Sequence, residues 1–354
     1  MRSTKSIMNN HMRDTQLDHY RALMMMHVII GHVMYWLYAV GEPYLSFVLF
    51  AMAGTFFIAG ASVAVSTQRR SLWNTVVNRI GRVIIPFYIY AVVIIAFTVA
   101  VTALVGDTTG LGFRPYDFGS YGWKDIVRIV LCEDVPGAPF GAHIWFLHPY
   151  LILSCTFPLQ VWLTERCNRH IYMAACFVLF LAVQAVTRHE LLREVACYNV
   201  FMVAGYLYYR RMGVVARVVV GLCAAAAIVV HVETGGNFCP MQGHKFPPDW
   251  VFATYGIFAL CMVSLVLGRI RIPENRFLTI WNKRGFNIYL YQSLVFVAVF
   301  AIRCRTYLNA SNPLVLVLTD SVLAILLATA LSFVTYPLER AVMKLWYRWV
   351  HNTA

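Results

Sequence analysis

Leu17-Asp18-His19-Tyr20-Arg21-Ala22-Leu23-Met24-Met25-Met26-His27-Val28-Ile29-Ile30-Gly31-His32 sets an arginine at the mouth of an apolar segment and a histidine eleven residues further along it. On an α-helix eleven residues turn through about 1100°, so Arg21 and His32 share a face to within roughly 20° and stand about 16 Å apart along the axis. A polar stripe then runs from one surface toward the middle of an apolar element. Ionisable groups in that setting are costly to bury and mark functional paths, so His32 is the residue whose purpose the rest of the chain must supply.

The surroundings of that stretch are equally apolar. The chain has 354 residues, 60% hydrophobic and only 13% charged, a balance that excludes a soluble domain of this size. Runs of about 20 apolar residues, the length a bilayer requires, fall at roughly 22–40, 44–65, 84–105, 143–163, 171–187, 195–209, 214–232, 250–268, 285–302 and 314–336. The expected fold is all-α, a polytopic transmembrane bundle of about ten spans. The first run carries Arg21 and His32 and lacks an A-x-A-like cleavage site, so it is expected to remain as the first span. Neither a soluble domain nor an internal repeat is evident. A single membrane domain over 1–354 is expected, with a cytoplasmic segment at 1–21, the bundle at 22–336 and an interfacial tail at 337–354.

Lys and Arg are concentrated on the cytoplasmic side of membrane proteins, and ten spans leave both termini on one side. With the N-terminus inside, 21 of the 29 basic residues lie in inner segments and 8 in outer ones. Both termini are therefore expected in the cytoplasm. The net charge of +13 is accounted for by that basic inner face, which suits anionic lipid and phosphorylated ligands and needs no nucleic acid.

In the first inner loop Arg79 and Arg82 stand at i,i+3 before Pro86. On a short amphipathic turn they would project together as a fork for phosphate; a plain stop to the second span is the other reading. Phe56-Phe57-Ile58-Ala59-Gly60-Ala61-Ser62 supplies small residues for close helix packing. The longest outer loop, about 106–142, ends at His143-Ile144-Trp145-Phe146-Leu147. His143 there is a candidate for the outer entrance, and Trp145 for an interface anchor or part of that entrance. Asp320 lies about 9 Å below the outer surface, facing a wet cavity, pairing with a base or reaching outward. The tail at 338–349 alternates apolar and basic residues at helical spacing and is expected to lie flat on the inner interface.

Five of the nine cysteines, Cys155, Cys176, Cys197, Cys223 and Cys261, fall in apolar runs and read as small hydrophobes. Pairing of the loop cysteines Cys132 and Cys239 is left open by their spacing. No Cys/His cluster has zinc-ligand spacing, and neither a metal nor a bound cofactor is expected.

Four pieces now stand in order: Leu17-Asp18-x-x-Arg21-Ala22-Leu23 with His32, Phe56-Phe57-Ile58-Ala59-Gly60, Arg79-x-x-Arg82 with Pro86, and His143-Ile144-Trp145-Phe146-Leu147. Together they resemble the bacterial membrane acyltransferase-3 family, integral-membrane O-acyltransferases that modify polysaccharides, lipid-linked sugars, peptidoglycan and some antibiotics. The resemblance covers essentially the whole chain and implies ten spans with both ends inside. It implies His32 as the catalytic residue supported by Arg21, and Arg79 and Arg82 as the acyl-CoA-binding pair. Ala59 stands where the family commonly has Ser, and Gln292 in Tyr289-Leu290-Tyr291-Gln292 stands where a His is usual.

The expected activity is acyl-CoA-dependent O-acylation, O-acetylation from acetyl-CoA in the first instance, of an extracytoplasmic or lipid-linked glycan in a bacterial inner membrane. Acyl-CoA, the glycan and membrane lipids are the expected partners; the oligomeric state and acceptor identity are open. Acyl transfer to a hydroxyl needs a base, oxyanion stabilisation and anchorage of the donor, and neutral imidazole suits the first. No carboxylate on its own helix can orient His32, since Asp18 is about 21 Å and Glu42 about 15 Å away along the axis. Asp320 and Gln292 are the candidates from other spans. The rival reading is a transporter or flippase of a glycan or anionic solute, which would use the same stripe.

Overall fold

The computed structural model describes residues 14–37, 43–66, 72–105, 122–133, 143–306 and 312–352. Helix α1 (Thr15–His32) is capped by Asp14, whose side chain accepts from Leu17 N, and widens after His32 into a π-helical turn over Val33–Leu37. A 3₁₀ turn at Ser46–Val48 leads into α2 (Ala51–Ser66), followed by α3 (Leu72–Val105), a short α4 (Trp123–Val130), α5 (Leu147–Thr164), α6 (Arg169–Val186) and α7 (Glu190–Tyr208). Then come α8 (Val214–Glu233), a short α9 (Met241–Lys245), α10 (Trp250–Leu267), α11 (Arg276–Thr306) and α12 (Pro313–Asn352). No strand occurs among the described residues.

Among the described residues, six helical stretches are long and apolar enough to cross a membrane: Ser46–Val65, Val76–Ala100, Arg169–Val186, Val214–Glu233, Trp250–Leu267 and Pro313–Arg348. The chain is a multi-pass, all-helical membrane protein. The remaining long helices, α1, α5, α7 and α11, carry polar side chains that dilute their apolar runs, among them Arg21, His148, Glu194 and Gln292.

Helix α1 packs against α2, α11 and α12, while α7 lies between α2, α5 and α6. The closest seam joins α2 to α7. A Cβ on Gly60 would collide with the Met202 carbonyl oxygen, and one on Gly205 with the Phe57 carbonyl oxygen. Two facing glycines let the backbones touch, as small residues do in membrane helix pairs. This is the packing expected of the Phe57–Ser62 stretch. Phe56 fills the adjoining space by stacking on Tyr198 at 4.5 Å. Helices α6 and α8 turn Val178, Leu179, Val215 and Leu222 outward, as lipid-facing elements should.

Two elements run further than their apolar stretches indicate. Helix α3 passes through Pro86 and begins at Leu72, so Arg79 and Arg82 lie within a long helix and not on a short turn before a span. Helix α12 passes through Pro337 to Asn352, so no separate tail helix starts after the last apolar run. Cys132 and Cys239 are both free thiols. Most of the 106–142 loop, and residues 1–13 of the cytoplasmic segment expected at 1–21, lie outside the described residues, while 15–21 already belong to α1.

Candidate functional site

His32 is the last residue of α1, and the π turn that follows brings Trp36 back over it, stacked at 4.3 Å with 19° between the rings. Such π segments within helices frequently sit at functional sites. From α11, Gln292 reaches across: His32 Nδ1 and Gln292 Oε1 are 2.9 Å apart. A carbonyl oxygen only accepts, so Nδ1 carries the hydrogen and donates it, and Nε2 keeps its lone pair. Although it lies deep along α1, His32 is partly accessible. Gln292 itself is fully buried, and its Nε2 makes no hydrogen bond among the described residues.

The second imidazole is close by. His143, 1% exposed, has Nε2 3.1 Å from the Leu290 carbonyl, to which it donates, and that leaves its buried Nδ1 as a lone pair without a donor. Its backbone carbonyl accepts from the Tyr289 hydroxyl. Tyr289 lies between the imidazoles, 6.0 Å from His32 and 5.5 Å from His143 by ring centroids, and Trp36 also meets His143 edge-on at 6.1 Å. Tyr90 closes the group edge-on to His143 at 5.8 Å, its hydroxyl 3.2 Å from Ser293 Oγ. Tyr289, Gln292 and Ser293 are i, i+3 and i+4 on α11 and so present one face to the two imidazoles. Each orphaned polar atom in such a place costs roughly 1–3 kcal/mol, and a site that binds polar substrate is where such a cost is repaid.

Toward the start of α1 lies an arginine-rich end. Arg21 donates through Nη1 to Asp18 Oδ1 at 3.1 Å and Asn282 Oδ1 at 2.8 Å, and through Nη2 to Ser62 Oγ at 2.7 Å. Ser62 passes its own hydroxyl hydrogen to Ile58 O at 2.7 Å. Arg79 turns inward from α3, its Nη2 donating to Ala59 O at 3.0 Å while its buried Nη1 has no hydrogen bond. Arg82, one turn on, points the other way, Nε to the Tyr347 hydroxyl at 3.0 Å on an exposed surface. The pair therefore does not make one fork. The fields of both Arg21 and Arg82 reach Arg79, and Arg79 with Arg21 makes the part of this cationic mouth that is directed into the bundle.

At the opposite end Trp145 meets Phe246 at 4.8 Å and Tyr198 at 5.9 Å, within an aromatic cluster. Asp320 is buried on α12 at 6% exposure and shares no hydrogen bond with His32 among the described residues; Gln292 occupies that position. No group of three or more His, Cys, Asp or Glu suited to a metal occurs among the described residues. Residues that the sequence alone did not single out are Asn282, hidden before a Lys-Arg pair, and Lys245, considered below.

A family model described as an acyltransferase domain, that of the acyltransferase-3 family, matches residues 14–337. No curated protein and no solved structure matches the chain.

Proposed function

The chain belongs to the acyltransferase-3 family, and from that premise we propose that it is an O-acyltransferase moving an acyl group, acetyl in the first instance, from acyl-CoA to a hydroxyl of an extracytoplasmic or lipid-linked glycan. The observation that carries the reading is the His32–Gln292 pair at the head of the α1 stripe, with Arg21 and Arg79 at its foot. Acyl-CoA would present its phosphates to the arginine-rich end, which we take as the cytoplasmic one in a bacterial inner membrane crossed ten times, and extend its pantetheine arm toward His32. The unpaired Nη1 of Arg79 is a donor ready for a phosphate oxygen.

His32 Nε2 would take the proton of the acceptor hydroxyl as its oxygen attacks the thioester carbonyl. The tetrahedral oxyanion collapses, the C–S bond breaks, and the imidazolium returns its proton to the departing CoA thiolate. The product is an ester and free CoA, with no outside reductant or oxidant. Gln292 holds the tautomer throughout, the part a hydrogen-bonded partner plays for a catalytic imidazole.

Purified protein in nanodiscs, given labelled acetyl-CoA and a glycan acceptor, should release CoA and label the acceptor. Solute movement in proteoliposomes without thioester turnover would support a transporter instead.

A further inference from the structure

The loop between α8 and α10 folds back into the bundle. Met241 is fully buried and its backbone N donates to Ser46 Oγ at 2.9 Å. His244 donates from both ring nitrogens, Nε2 to Asn237 O at 2.7 Å and Nδ1 to Asp249 Oδ2 at 2.6 Å, while Asp249 Oδ1 caps α10 by accepting from Phe252 N at 3.0 Å. The pinned loop holds Lys245 at 7% exposure, its Nζ 5.1 Å from the Trp145 ring centre and 4.7 Å from that of Phe246.

That ammonium has no ion pair among the described residues, whose ion pairs involve Asp14, Asp18, Glu133 and Asp249. Glu194, buried on α7, acts on it only through space. Its charge also reaches His32. Burial lowers the Lys245 amine to about 8, with Glu194 opposing the shift, so at neutral pH roughly nine in ten remain charged. Lys245 is thus a buried residue whose ammonium, with three donors, has no hydrogen-bond acceptor among the described residues, an expensive arrangement. Beside Trp145, the fully buried Tyr198 hydroxyl also makes no hydrogen bond.

We propose that Lys245 anchors an anion-binding subsite on the loop side of His32, walled by Trp145 and Phe246, which takes an acidic group of the acceptor glycan. The proposal rests on the acyl-transfer reading for its role and names the acceptor class: a sugar carrying a carboxylate or a phosphate. An ammonium is a point charge that serves both, and the aromatic walls suit the apolar face of a sugar ring.

The test is calorimetric titration of the full chain in nanodiscs with methyl glucuronide, glucose 1-phosphate and methyl glucoside. The wild type should bind at least one acidic sugar about tenfold or more tightly than the neutral one, with the two acids telling carboxylate from phosphate. Lys245→Gln should abolish that preference, Lys245→Arg should keep most of it, and acid binding should weaken as pH rises through about 8. Equal binding of acidic and neutral sugars by the wild type, or a preference surviving in Lys245→Gln, would overturn the proposal. Turnover of labelled acetyl-CoA is read in parallel. Turnover without acid preference removes the subsite and leaves the enzyme, whereas acid preference without turnover leaves the subsite and removes the transferase.

Discussion

At the scale of single residues, one amide decides how His32 can act. Gln292 accepts from Nδ1, so the nitrogen available to a substrate is Nε2. Gln292→Leu removes the acceptor at nearly constant volume and should lower the rate of acyl transfer on the order of 10²-fold, with donor affinity little changed. A kcat/KM split measured with acetyl-CoA checks it; a fall in affinity alone would mean that Gln292 is part of the donor site. The arginines divide in the same way. Arg79→Gln should raise the KM for acetyl-CoA well beyond the effect of Arg82→Gln, because Arg79 faces the bundle interior and Arg82 faces Tyr347 at the surface. Equal effects would restore the simple fork. The sequence stretch around Gln292 already marked a departure at that position. Nothing in the neighbours of Lys245 along its Gly- and Pro-containing loop signals that the loop folds inward.

At the scale of elements, the succession of helices follows the apolar runs, and the discrepancies have a physical source. Pro86 and Pro337 suggest boundaries, because proline lacks the N–H and crowds the preceding turn. In membrane helices neighbouring elements tolerate that defect, so α3 and α12 pass through both residues. The cationic pair consequently sits on a continuous helix that aims one arginine inward. Where α2 crosses α7, Gly60→Val places branched carbons against the Met202 carbonyl and should destabilise the protein by about 1–3 kcal/mol, as overpacking does. A fall in Tm in detergent measures it. The loop before α10 should respond to pH. His244 is raised above the ordinary imidazole value, chiefly by its hydrogen bond to Asp249. The pair therefore contributes stability fully present below about 6.5 and lost as pH rises through the raised value. Hydrogen exchange of residues 240–248 should accelerate over that rise in the wild type. It should change little in Asp249→Asn, which keeps the α10 cap but not the charge.

For the whole molecule, polar chemistry is gathered along one line through an apolar bundle. The arginine-rich mouth, the His32–Gln292 pair with its aromatic neighbours, and the loop bearing Lys245 follow one another from the start of α1 outward. His32 and Gln292 come from helices whose apolar runs are diluted, which is why hydropathy alone marks α3 and α12 more strongly than α1 and α11. Periodicity set Arg21 and His32 on one face; only the folded chain brings α11 against that face and makes His143 a neighbour. The central claim is that His32 is the base for acyl transfer. It is tested most directly by the rate of labelled acetyl transfer to acceptor by His32→Ala beside wild type, at equal amounts of folded protein in nanodiscs. Loss on the order of 10²- to 10⁴-fold, with acetyl-CoA still bound, is the result predicted for removal of a general base. Transfer at the wild-type rate would contradict it.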